Sequence, residues 1–348
     1  MATVESRTEY WERAKEQGFD LSWLSQLQEH VAGEGVEERS ANDTGRVQGS
    51  IPRGNVARFG AYTFRTKSEV WAYNLTKLYE EFITRQWSSA TDIPWDTIQP
   101  LSDDIEASQC QLATFFTQVE FVASDVPGRF ISTMSPDYQE VRLALLAQVM
   151  DESRHLDVFR KRALANGGGL MRMIDSVSDV VGGSTDNARE FTEFSSRLHI
   201  TGEGNVLTLF RLGEMMAYNE AEKAIYRRCA QDEARHVAIG VLHLRYMNEF
   251  APERREEIHC YLDEGESRQA TGAGGENPAG QSQLTSQALA VLLGGGKDKM
   301  DEGQNILRAI RQRQTKEYFQ RLKSAGFDDR IHNGRVNPAL LEQYKAAA

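Results

Sequence analysis

Asp151-Glu152-Ser153-Arg154-His155 and Asp232-Glu233-Ala234-Arg235-His236 are two copies of one pattern, Asp-Glu-x-Arg-His. A lone Glu-x-x-His carries little, because a chain of this composition yields about 0.6 by chance; requiring the Asp and Arg as well lowers the expectation to about 0.003. Two copies therefore outweigh the competing reading of two solvated charged helix faces. The spacing has a physical meaning. Glu and His three residues apart lie on one face of a helix, so both can reach one ion.

Each pair needs a carboxylate from a second helix, and each has one upstream. Glu120 stands in LATFFTQVEFVASD and Glu203 in RLHITGEGNVLTLF, both otherwise apolar stretches where an unpaired carboxylate is costly. A helix rising from Glu120 to a turn near Ser135 covers about 21 Å, and one descending to Glu152 covers about 24 Å. The two glutamates then meet at one level of an antiparallel hairpin. A turn near Tyr218-Asn219 brings Glu203 and Glu233 together in the same way.

Working outward, proline is scarce and the apolar spacing is helical, with no convincing strand set, so the predicted class is all-α. Residues 7–30 read as a short helix, 31–56 as a polar Gly-rich arm, and 57–88 as helix. Four long helices are expected between 103 and about 250, one of them started by Ser135-Pro136-Asp137. Residues 263–303 are rich in Gly and polar residues and read as flexible around Leu284–Leu293, with a charged helix to follow at about 303–325. The expected organisation is N-terminal helices and arm packing on the bundle (1–102), a bundle (103–260), and a flexible Gly-rich segment with a C-terminal helix (261–348).

The 348 residues include 40 Lys+Arg, 51 Asp+Glu and 3 Cys, for a net charge of -11. That balance argues against a nucleic-acid partner. The longest apolar runs fall far short of the ~20 residues of a membrane span, and no signal-peptide pattern opens the chain, so a soluble, cytoplasmic protein is expected. Cys110, Cys229 and Cys260 share no metal-type spacing.

The doubled motif resembles the ferritin-like di-iron carboxylate superfamily, whose pattern is a Glu on each of two helices and Glu-x-x-His on each of two others. The resemblance covers about residues 103–250. It implies a ferritin-like four-helix bundle with additional N-terminal and C-terminal helices. Glu120, Glu152 and His155 would then hold mainly one metal, and Glu203, Glu233 and His236 the other, with some carboxylates bridging. Asp151 and Asp232 are placed to orient the histidine on the opposite hairpin, with Arg154 and Arg235 as charge partners. The N/O donor set suits two iron ions, or a Mn/Fe pair, rather than zinc.

Within that superfamily the oxygenase and oxidase branch is the nearest likeness, in multicomponent monooxygenase large subunits, acyl-carrier-protein desaturases and the p-aminobenzoate N-oxygenase family. The implied activity is O2-dependent oxidation of a small organic substrate, by hydroxylation or N-oxygenation, with electrons from a separate reductase or ferredoxin and a homodimeric state. Desaturase-like chemistry, a Mn/Fe ligand-binding oxidase, and a non-enzymatic iron store or structural metal bundle are the alternatives. Cys229 stands where the N-oxygenase family has a further histidine, which weakens that reading. Phe159 stands where ribonucleotide reductase small subunits carry a radical-bearing tyrosine, which disfavours radical generation by that route.

Several neighbours have two readings. Gly202 and Gly204 flank Glu203 and suit either a local helix bulge or close packing. Phe115, Phe116, Val119, Leu207 and Phe210 suit plain core better than a substrate pocket. His199 and His243 are expected to be buried and hydrogen-bonded rather than additional ligands. Glu214 is too far along its helix to join the set, and Asp125 and Thr208 are candidate proton shuttles.

Overall fold

The computed structural model describes residues 62–64, 66–135, 138–172, 187–274 and 282–347. The expected helix at 7–30, the arm at 31–56 and Pro136-Asp137 of the helix-start signal lie outside the described residues. Two short helices come first, α1 (Lys67–Val70) and α2 (Leu75–Thr84). They replace the single helix expected over 57–88. Trp71 is extended and Asn74 takes a left-handed φ of 58°, a conformation asparagine tolerates better than most residues.

The long helices follow as α3 (Asp103–Ile131) and α4 (Gln139–Leu164), packed as an antiparallel hairpin. Asp103, Asp104 and Glu106 in the first turn of α3 complement the positive end of its dipole. Pro127 sits inside α3 rather than between helices. Residues Thr63 and Phe64 tie the N-terminal segment to the hairpin turn, where Thr63 N donates to Thr133 O and Ser135 N to Phe64 O. That isolated bridge aside, the described residues hold no β-structure.

The third long helix is continuous but not uniform. It runs through α5 (Phe191–Ser195), a π-helical stretch (Ser196–Glu203) and α6 (Gly204–Arg211). Its antiparallel partner α7 (Glu220–Phe250) starts where the Asn219 side chain accepts from Glu222 N at 2.9 Å, satisfying one orphan amide. Together these helices form the expected four-helix core, with two hydrophobic clusters above and below a buried polar belt.

Of the segment 263–303 expected to be flexible, residues 275–281 lie outside the described residues. Most of its described residues belong to α8 (Arg255–Gly274), α9 (Ser282–Gly294) and the start of α10 (Met300–Ser324). Glycine here is a packing residue. A Cβ on Gly303 would collide with Ala290 O, so its absence lets α9 and α10 approach closely, and Gly265 similarly admits Thr201 against α8. Ala288, Leu289, Ala290 and Leu292 are buried by that contact. A last helix, α11 (Pro338–Ala347), opens with proline at its first position. No helix among the described residues is long and apolar enough to cross a membrane.

Candidate metal centre

The two hairpins bring Glu120 (α3), Glu152 and His155 (α4), Glu203 (π stretch), and Glu233 and His236 (α7) to one buried point. Their donor atoms form two groups, Glu120–Glu152–His155–Glu233 and Glu152–Glu203–Glu233–His236, each lying within 4.8 Å. The arrangement is nearly two-fold symmetric. His155 Nδ1 stands 3.2 Å from Glu152 Oε2, 3.5 Å from Glu233 Oε1 and 3.9 Å from Glu120 Oε2. His236 Nδ1 stands 3.1 Å from Glu152 Oε1, 3.5 Å from Glu233 Oε2 and 3.9 Å from Glu203 Oε1. Glu152 and Glu233 thus turn one oxygen toward each group, the geometry of a carboxylate bridge.

Among the donor atoms of these six residues, Glu120 Oε1, both oxygens of Glu152, Glu203 Oε2, Glu233 Oε2 and both Nδ1 atoms are buried without a hydrogen-bond partner. Polar groups buried in that way are costly unless something compensates them. Two divalent ions would do so: four carboxylates carry -4 and two such ions +4, leaving neutral imidazoles as the nitrogen ligands. The residues therefore fit a pair of iron or manganese ions. Burial, reinforced by repulsion from Glu152 and Glu233, pushes the Glu120 and Glu203 carboxyls well above the usual range. Burial opposes ionisation of Glu152 as well, but attraction to His236 and His155 outweighs it and holds that carboxyl low.

The outer shell crosses between hairpins. His155 Nε2 meets Asp232 Oδ2 at 3.1 Å, and His236 Nε2 approaches Asp151 Oδ2 at 3.4 Å, a looser contact. Arg154 pairs with Asp151 on its own helix and stands 3.5 Å from Asp232, while Arg235 pairs with Asp232 and reaches Asp151 at 2.8 Å. Each arginine therefore bridges the two aspartates from its own side.

Other members of this shell carried no recognised sequence signal. Trp87 Nε1 donates to Asp232 at 2.7 Å and stacks near His155, while Phe82 stacks on His236 at 5.7 Å. Arg154 lies over Trp87 and Arg235 over Phe82, which repeats the pseudo-symmetry. Gln148 Nε2 donates to Glu203 Oε1 at 2.8 Å, and its Oε1 meets His199 Nε2 at 3.1 Å. The hint available in sequence was position: Gln148 is one helical turn before Glu152 on the same face of α4.

His199 and His243 are buried and hydrogen-bonded, the former to Gln148 and Ser195, the latter to Thr192 and Trp71 O. Glu214 is exposed and paired with Arg227. The shuttle reading of Asp125 and Thr208 is corrected: Asp125 is exposed, and Thr208 Oγ1 is spent on Glu317 and Gly204 O. Phe116 and Phe210 interlock with Phe159 and Tyr226 as core.

The π stretch resolves the two readings of the glycines. Gly202 has only ordinary contacts, whereas a Cβ on Gly204 would collide with the Arg321 guanidinium. Arg321 Nε donates to Ile200 O at 3.0 Å and Nη1 to Gly204 O at 3.1 Å, taking up carbonyls around the widened turn. Bulge and close packing are therefore one feature, and it carries Glu203.

No protein-family model matches the chain, and no curated protein does. Among solved structures, an R2-like ligand-binding oxidase with an aerobically reconstituted Mn/Fe cofactor is similar at 18% identity and a TM-score of 0.46, over 73% of this chain and 93% of that one. A single-residue variant of such an oxidase, also with Mn/Fe, is similar at 18% identity and a TM-score of 0.47, over 73% of this chain and 94% of that one.

Proposed function

We propose that this chain is a dimetal-dependent oxidoreductase that uses O2 to oxidise a small organic substrate. One observation carries the reading: two clusters of four buried donor residues share Glu152 and Glu233, and at least one carboxylate oxygen or ring nitrogen of every member is buried without a hydrogen-bond partner. When bound, a pair of redox-active first-row ions supplies reduction of dioxygen and oxidation of the substrate. The chain's own residues do the rest. Glu120 and His155 close one end, Glu203 and His236 the other, and Glu152 and Glu233 span both. Asp232 holds the Nε2 edge of His155 and Asp151 stands beside that of His236, so Nδ1 is the edge presented inward.

Water is excluded by Phe116, Phe159 and Phe210 on one side and by Phe194 and Leu198 on the other, all buried. Hydroxylation remains the finer reading, with Mn/Fe in place of two irons as the variant the same ligands accommodate. An external reductase or ferredoxin supplies electrons to a cytoplasmic homodimer. Leu146 and Met150, one turn apart on α4 and about half exposed, support the latter.

The test is metal bound and O2 consumed per chain after anaerobic Fe(II) loading, desalting and exposure to oxygen. About two irons with O2 uptake is the expected result. Glu120→Ala, His155→Ala, Glu203→Ala and His236→Ala should each remove metal and turnover while leaving a helical fold. Two irons without O2 uptake would point to a structural site, continued iron uptake to a store, and no retained metal would overturn the assignment.

A further inference from the structure

Away from the carboxylate cluster, α6, α7 and α10 enclose a cleft of about 830 Å³. That lies in the range of roughly 300–1,000 Å³ common for small-molecule sites. Its floor is apolar, with Leu207 from α6 and Val237, Ala238 and Val241 from α7. Its walls carry Arg211, Arg313, Lys316 and Arg321 against one carboxylate, Glu317. Glu317 is already engaged, accepting from Thr208 Oγ1 at 2.7 Å and Arg313 Nε at 2.9 Å. A concentration of positive charge is unexpected on a chain of net charge -11.

Arg321 sharpens the point. It is only 9% exposed, its hydrogen bonds go to the carbonyls of Ile200 and Gly204, and it makes no ion pair with any described carboxylate. Burial pulls its pKa down to about 10, so it stays charged near neutrality. Its Nη2 has no hydrogen-bond partner and Glu317 attracts it only from beyond ion-pair distance, so an anion in the adjoining cleft would offset the cost of its burial.

We infer that this cleft binds a small organic anion, its apolar body on Leu207, Val237, Ala238 and Val241 and its carboxylate or phosphate head among Arg211, Arg313, Lys316 and Arg321. The concave, apolar floor favours a small molecule over a flat protein partner. Binding there acts on Glu203 as well, because Arg321 grips the carbonyls on both sides of it.

The test is calorimetric titration of the full-length chain with octanoate, octyl phosphate, octan-1-ol, octylammonium and polyglutamate. One equivalent of octanoate or octyl phosphate should bind at least about ten-fold tighter than the alcohol or the ammonium, and more weakly as salt rises. Whichever of the two anions binds better identifies the head group. Ala238→Trp, which fills the cleft from a half-buried position, and Arg313→Glu, at an exposed one, should each weaken binding about ten-fold or more with an unchanged circular dichroism spectrum. Octanol binding as tightly as octanoate would overturn the inference. So would octanoate binding untouched by Ala238→Trp, which would place the anion elsewhere, or binding of polyglutamate alone, which would place an acidic protein surface there. All of these readouts are independent of metal loading and turnover.

Discussion

His155 and Asp232 are 77 residues apart in the chain, yet His155 Nε2 and Asp232 Oδ2 lie 3.1 Å apart in the buried centre. The aspartate of each motif serves the histidine of the other, so neither motif is complete alone. Two hairpins are locked together through the same side chains that aim the inward nitrogens.

Under the proposed dimetal assignment, Asp232→Asn should lower metal affinity about 10- to 100-fold, since the carboxylate on His155 Nε2 is replaced by an amide that accepts less strongly. Asp151→Asn should cost less, because His236 Nε2 stands 3.4 Å from Asp151. Iron(II) retention against a competing chelator measures both. Equal retention by Asp232→Asn and the parent would sink the orienting role.

Gln148 joins Glu203 to His199 through one amide. Gln148→Leu keeps the volume and removes both partners, leaving a buried carboxylate oxygen and a ring nitrogen unsatisfied. A loss of about 1–3 kcal/mol in urea unfolding is expected. Stability equal to the parent would show that the contact carries no net energy.

Glycines divide by what surrounds them. Gly303→Ala should destabilise by about 1–3 kcal/mol, because α9 and α10 must separate to admit the methyl group. Gly128, inside α3 with open space at its Cβ position, should instead gain about 0.5–1 kcal/mol on Gly128→Ala. Thermal melts of the two variants should shift in opposite directions.

His243 carries a pH dependence. Trp71 O takes the Nδ1 proton at 2.7 Å, so Nε2 accepts from Thr192 Oγ1, and the ring is held neutral. Burial pulls its pKa down to about 4, with Arg254 also acting against the charged form. The unfolded ring protonates near 6.5, so the unfolded chain binds more protons between those values and stability falls as pH drops from 6.5 toward 4. The loss approaches about 3 kcal/mol. Denaturant midpoints at pH 7 and pH 4.5 should show this slope, and His243→Asn should flatten it; an equal slope in the variant would remove His243 as its source.

The four-helix core and the six residues that meet in it are legible in the chain alone. Both rest on local physics: a 3.6-residue period puts Glu152 with His155 and Glu233 with His236 on one face, and helix rise brings Glu120 and Glu203 to the same level. Other features depended on partners far away in the chain. Composition reads residues 263–303 as flexible, yet within that segment α9 packs on α10 because Gly303 admits Ala290, a contact no local propensity encodes. Trp87 and Gln148 look ordinary in sequence, since their meaning lies in Asp232 and Glu203 across the bundle. The widened turn beneath Glu203 likewise depends on Arg321, more than 100 residues further on, whose guanidinium takes the carbonyls a regular helix would have used. Helix period and rise are properties of neighbouring residues, whereas the rotation of one helix against another is settled only when the side chains between them pack.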